Sequence, residues 1–427
     1  MLLKLIKITF PLIILSIALF LGYLYNTEET FYSKNLQNVT VESSNFRKLP
    51  SDNSINLLEK DTGKLSNIGW SYKSDFINLN LNKIKASSTI INYSLLHSLR
   101  LKKWNAITFS NKNYIGLVAF FDLGYLSGNL FHLSKIDINE KSYYQPKSYQ
   151  YINPYYGPIV NHSCTQRCNV VDWPTLNSNT HSDFPILATS LDATDRGNFF
   201  LAYKANFKES LNKSKIDKSN LSVELDFKLT GKDKDSIVTL SPISEDSTLF
   251  YYNEKQYGLT ANGYISINNK KYSASEFYIG HDIGRGVWPV KSGWNWVTAN
   301  GVLNDGRKFG FNAGYGFLNP KYRFTEDCFF IDNKLFKIPS QNYKIDSSKL
   351  NNLNFYNYVF TLTPNQNSCE MTFVTLNKNA NIVNLPIDKT KFEVKYGKFV
   401  GYCVDDKGKK YEIKEAYGII ENKNSIW

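Results

Sequence analysis

The sequence lacks most of the short motifs that would name a reaction. It has no glycine-rich phosphate loop, so nucleotide and dinucleotide binding have no support. It has no Gly-x-Ser-x-Gly elbow, no His-Glu-x-x-His pair and no nucleophilic serine with recognisable partners, which removes direct support for a hydrolase. No long amphipathic helical pattern recurs at the intervals a βαβ fold needs, and an all-helical chain is disfavoured. There is no basic helix, zinc-finger spacing or RNA-binding aromatic motif, so nucleic acid is not expected as a partner. No cofactor is called for, and no internal repeat is visible.

The formal charge is +12, but the lysines are scattered, clustering no more tightly than Lys407, Lys409 and Lys410. Such an excess reads as a solvated surface rather than a docking patch. What the chain has in abundance is aromatic: 29 Tyr and 28 Phe, 15% aromatic residues in all. With frequent Thr, Val and Ile this favours strands. At 427 residues the chain is long enough to bury a core without disulfide or metal support.

Long apolar runs are absent except one. Residues 8–25 (ITFPLIILSIALFLGYLY) have the length of a bilayer-spanning helix. Lys4 and Lys7 precede the run and Glu28 and Glu29 follow it, an asymmetry that keeps the N-terminus cytoplasmic and exports the rest. The exit LGYLYNTEE has no small-x-small cleavage site, which favours an uncleaved signal anchor over a cleaved signal peptide. The expectation is a single-pass membrane protein with its globular region on the periplasmic or extracellular side. Residues 26–61 read as a polar tether, with the folded part beginning near Gly63.

Leu221, Val223, Leu225, Phe227 and Leu229 alternate strictly, the mark of a half-buried strand. Ile237 to Leu240, Tyr264 to Ile267, Tyr358 to Leu362 and Met371 to Leu376 suggest further short strands. The spacing predicts an all-β protein of antiparallel sheets, barrel or sandwich, in two lobes: residues 62–278, with an insertion near 145–181, and residues 279–427.

The densest chemistry lies between Glu276 and Gly316. Trp288, Trp294 and Trp296 fall within nine residues, and on a strand Trp294 and Trp296 share a face. With His281, Asp282, Arg285 and Asn295 nearby, they would line a site for an elongated hydrophobic ligand, a lipid or isoprenoid. A carboxyl kept protonated in such a wall acts as a general acid, with Asp282 the candidate and Arg285 setting its charge. In the plainer reading the tryptophans fill a core and Asp282 pairs with Arg285 to brace the turn at Gly284 and Gly286. A protein-binding surface is the third possibility. His281 adjoins Asp282, yet neighbours on a strand point to opposite faces. Glu326 and Glu421 read as braces at strand ends.

These residues also carry a resemblance. Gly69-Trp70, Lys102-Lys103-Trp104, Asp122 to Tyr125, Asp282 to Pro289, Trp294 to Trp296, Asp305 to Arg307, Thr325-Glu326, and Gly418, Glu421 and Trp427 follow one another as in the bacterial family of domain of unknown function 2804. More distantly, residues 263–282 and the following Gly-Trp-Asn-Trp are similar to lipocalin-like proteins related to carotenoid hydratases and tocopherol cyclases. That resemblance implies two lipocalin-like β lobes joined near Ile279. It also implies an acid, aligned with Asp282, that protonates an isoprenoid double bond before water adds. The sequence departs from the hydratase branch after Asp282-Ile283, where Gly-Arg-Gly replaces a bulkier aromatic motif.

Five cysteines in an exported chain leave at least one without an intramolecular partner. Cys164 and Cys168 suggest a local disulfide; with His162 and His181 they approach, without matching, a zinc site. Cys328, Cys369 and Cys403 read as buried apolar fillers of strands.

Overall fold

The computed structural model describes residues 48–49, 54–74, 76–84, 101–123, 126–136, 148–156, 186–195, 198–207, 221–230, 234–244, 247–289, 291–315, 326–339, 343–350, 353–360, 366–384 and 389–426. Among these the structure is all-β, with two short 3-10 turns at Leu81–Lys83 and Ala274–Glu276.

Three antiparallel sheets carry the fold, beside a parallel pair of Ile55–Asn56 with Ile77–Asn78. The eight-stranded sheet runs in the order Gly69–Ser71, Ile237–Pro242, Phe250–Leu259, Tyr278–Val287, Leu101–Ser110, Tyr114–Asp122, Leu126–Lys135 and Ser148–Tyr156. A five-stranded sheet runs Lys270–Ser273, Ala261–Ile267, Leu221–Thr230, Asn198–Phe207 and Ile186–Asp195. The nine-stranded sheet runs Lys334–Lys337, Cys328–Ile331, Lys308–Tyr315, Lys291–Leu303, Lys410–Ile426, Lys389–Val404, Ser368–Asn384, Leu353–Phe360 and Tyr343–Leu350. None of these sheets closes into a barrel among the described residues, so the barrel alternative gives way to open, packed sheets.

Alternation along the strands sorts side chains into three layers. Val223, Leu225, Leu229 and Ile265 pack with Ile107, Phe109, Val118 and Phe131, joining the five-stranded sheet to one face of the eight-stranded sheet. Val297, Phe311, Phe329, Met371, Phe373 and Phe399 form a core on one face of the nine-stranded sheet. Between the two large sheets lies a third core, including Ala106, Leu117, Ile237, Tyr257, Trp296, Phe330, Val394, Tyr396 and Ile419. The central strands of the eight-stranded sheet are therefore covered on both faces, and Phe250–Leu259 is buried at nine of its ten positions.

Part of the stretch expected to be a tether is packed: Leu49, Leu57 and Leu58 are buried in a core with Leu240 and Phe250. Tyr278–Val287 hydrogen-bonds within the eight-stranded sheet, and the nine-stranded sheet begins at Lys291, so the sheets change over between residues 287 and 291. No helix among the described residues is long and apolar enough to cross a membrane; the anchor expected at residues 8–25 lies outside them.

The cysteines differ from expectation. Cys369 and Cys403 are opposite one another on adjacent strands and form a disulfide, while Cys328 is free and buried. Direct cross-strand pairing brings the two sulfurs together, a relation that sequence spacing of 34 residues conceals. The expected Cys164–Cys168 bond lies outside the described residues, as do His162 and His181.

Candidate functional site

The chemistry gathers in the layer between the two large sheets. Lys255 and Asp282 are opposite one another on adjacent strands of the eight-stranded sheet, and Lys255 Nζ lies 3.0 Å from Asp282 Oδ2. From the nine-stranded side Glu326 Oε1 approaches the same ammonium at 2.7 Å, and Asn312 Oδ1 accepts from it at 3.4 Å. Asn312 Oδ1 also accepts from Trp296 Nε1 at 2.8 Å, and Asn312 Nδ2 donates to the Glu326 carbonyl at 3.0 Å. The Lys255 ammonium sits 4.7 Å from the Trp296 ring centre, a cation–π contact inside the protein. Burial alone would discharge Lys255, but Asp282 and Glu326 more than offset it and raise its pKa. Asp282 is raised by burial against the pull of Lys255.

Two glycines make room for this arrangement. A side chain at Gly284 would overlap the Trp104 indole, which lies over the strand and donates from Nε1 to Asp282 Oδ1 at 3.1 Å. Gly314 likewise leaves space for the Glu326 carboxylate.

A third carboxyl joins from the C-terminal strand. Trp296 is opposite Glu421, and Glu421 Oε1 accepts from Trp294 Nε1 at 2.7 Å. Burial pushes Glu421 up to about 7; Lys423, whose ammonium lies 4.7 Å from the Trp294 ring centre, holds it back, and Asp282 pushes it further up. Neighbouring rings complete the wall: Trp104 is 4.8 Å from Trp288, Trp288 is 6.3 Å from Trp294, and Tyr251 stacks on Trp104 at 5.3 Å.

The raised Glu421 makes a signed prediction. Its folded pKa lies above its ordinary 4.5, so its stabilising contribution is complete below pH 4.5 and is lost as pH rises through about 7. The loss is on the order of 3 kcal/mol. In denaturant melts across that window, Glu421→Gln is expected to flatten the pH dependence and to be the more stable protein above neutrality. An unchanged pH slope would remove the burial argument for Glu421.

The sequence brought some of these residues forward and missed others. Asp282, Trp288, Trp294 and Trp296 come together here. His281 faces the opposite side of the sheet, where Nε2 donates to Asn105 Oδ1 at 2.7 Å and burial lowers its pKa to about 3. Asn295 alternates away from Trp294 and Trp296. The expected Asp282–Arg285 pairing is corrected: Asp282 pairs with Lys255, while Arg285 Nη1 donates to the carbonyls of Trp104 and Gly284, each at 2.6 Å. Arg285 thus holds the backbone on which Trp104 sits. Lys255 and Asn312 carried no sequence signal, and Glu326 and Glu421, read as braces, supply two of the three carboxyls.

With the geometry in place, relationships with known proteins bear on the chain as a whole. The family model for the domain of unknown function DUF2804 matches residues 50–427. The chain belongs to the DUF2804 family. No curated protein sequence matches it. Among solved structures, kievitone hydratase from Nectria haematococca is similar at 10% identity and a TM-score of 0.39, over 75% of this chain and 88% of that one. CghA is similar at 7% identity and a TM-score of 0.35, over 76% of this chain and 88% of that one. The residues of the acid cluster all lie within the stretch that the DUF2804 model matches.

Proposed function

We propose that this DUF2804 protein binds a largely apolar, unsaturated molecule of isoprenoid type between its two large sheets and protonates it, as a hydratase or cyclase does. One observation carries the reading. Three buried carboxyls, Asp282, Glu326 and Glu421, gather in a wall of indoles, and the buried Lys255 ammonium pairs with the first two. Such a cluster cannot hold all its carboxyls ionised in a low-dielectric layer, so it stores a proton at neutral pH. Glu421 is the assigned donor, and Asp282, held by Lys255 and Trp104, supplies negative charge to the cation that forms.

In the hydration step the Glu421 proton adds to one alkene carbon and leaves a cation on the other. Water adds its oxygen to that cation and returns a proton to the carboxylate, which restores the enzyme. The indole faces of Trp104, Trp288, Trp294 and Trp296 suit both an apolar chain and a transient cation. Arg285 acts as a positioning residue through the Trp104 and Gly284 carbonyls. The apolar residues 8–25 support a further part of the proposal, a single-pass anchor that holds the site on the non-cytoplasmic side, close to membrane-dissolved substrates.

The test incubates the full chain in detergent micelles with β-farnesene or squalene, in water enriched in deuterium and heavy oxygen. Recovered probe is expected to carry deuterium on carbon, with heavy oxygen where hydration completes. Glu421→Gln is expected to reduce incorporation at least a hundredfold. Label uptake no greater than in protein-free micelles would refute protonation chemistry at this site.

A further inference from the structure

The face that carries Lys255 and Asp282 continues into polar groups that the acid cluster does not use. Trp70, Thr239, Asn253, Gly284 and Trp104 form one row across five neighbouring strands, adjacent to the row holding Lys255 and Asp282. Thr239, Ser241 and Asn253 are fully buried, yet Thr239 Oγ1, Ser241 Oγ and Asn253 Oδ1 have no hydrogen-bond partner. The other end of Asn253 is engaged, with Nδ2 donating to the Tyr251 hydroxyl at 2.5 Å, so its free atom is an acceptor. Glu326 Oε2, in the acid cluster, is a second buried acceptor without a partner.

Each buried polar group left unpaired costs about 1–3 kcal/mol. Three of them on two paired strands are retained where another molecule supplies the partners. Their chemistry says which kind. Asn253 Oδ1 and Glu326 Oε2 require donors, while the two hydroxyls either donate or accept, so the complement carries a donor and is not an anion, and the apolar indoles beside the row favour a neutral O–H over an ammonium. The place fits as well: Trp104 lies at the end of the polar row, and Trp104, Trp288 and Trp294 lead ring by ring from it to Glu421.

We propose that Thr239, Ser241 and Asn253 form a hydroxyl-binding subsite, and that the molecule acted on is an unsaturated isoprenoid alcohol whose O–H is held here while its chain lies along the indoles. The inference rests on the function proposed above and adds the substrate class. Water is the competing source of the same O–H chemistry, and the test separates the two.

Tryptophan fluorescence of the full chain in micelles is titrated with farnesol and with farnesene, which share a carbon skeleton and differ in the hydroxyl. The wild type is expected to bind farnesol about tenfold more tightly, the worth of one or two neutral hydrogen bonds. The Thr239→Val/Ser241→Ala double variant is expected to lose most of that preference, keeping only what Asn253 Oδ1 supplies, with farnesene affinity unchanged. Because it deletes hydroxyls that have no partner, it is expected to melt no lower than the wild type. Farnesene binding without a preference for farnesol would mean that water fills the subsite, and would overturn this inference alone. A preference undiminished in the variant, or a variant that melts well below the wild type, would also overturn it. Failure of both probes to bind would sink the underlying function and this inference together.

Discussion

Replacing Lys255 with methionine is expected to lower the unfolding free energy by about 3–5 kcal/mol, measured by urea denaturation at neutral pH. The substitution nearly preserves volume, so the loss is electrostatic. Asp282 and Glu326 would keep their place in a layer where their side chains are less than a tenth exposed, without the ammonium that lies 3.0 and 2.7 Å from them. Adding Asp282→Asn and Glu326→Gln to Lys255→Met is expected to recover most of the loss, because neutral groups of the same shape cost less to bury than unpaired charges. A loss below about 1 kcal/mol for Lys255→Met would place the cluster in the range of a solvated surface pair and contradict the interior site.

Gly284→Ala is the second large effect. Here one methyl group would occupy space already filled by the Trp104 indole, on a strand flanked on both sides by other strands. Trp104 must then leave its stack on Tyr251 and its bond to Asp282, and the expected cost is about 3 kcal/mol, the upper end for overpacking a tight core. The three atoms nearest the added methyl all belong to that indole, which makes the collision separable. In a Trp104→Ala background the Gly284→Ala change is expected to be nearly neutral in thermal melts. Equal costs in the two backgrounds would show that the glycine serves the backbone rather than the indole.

Much of the fold was legible because exposed faces leave a pattern. The strand Leu221–Thr230 reads as alternation, since one of its faces packs into a core that includes Leu225 and Ile265 while Lys228 on the other is exposed. Phe250–Leu259, with Asn253, Glu254, Lys255 and Gln256 in succession, carries no such pattern, because it is covered on both faces. Lys255 therefore looks like a surface lysine in the sequence and becomes the central cation of the site in the structure. Asp282 and the tryptophans stood out by residue type, but their partners were hidden. Asn312 and Glu421 reach Trp296 and Trp294 from neighbouring strands of their own sheet, and Glu326 approaches the Lys255–Asp282 pair from the nine-stranded side, relations no local spacing encodes. Arg285, three residues from Asp282, lies on the opposite face by simple alternation. That fact was available in the sequence and excluded the ion pair that proximity suggested.

The most direct test of a stored proton is the infrared carbonyl stretch of a buried, protonated carboxyl, compared between wild type and Glu421→Gln. The wild type is predicted to show a band that disappears with a midpoint near pH 7 and is missing from the variant. A spectrum without that band below neutrality, or one in which it persists in Glu421→Gln, would contradict the assignment of Glu421 as the proton donor.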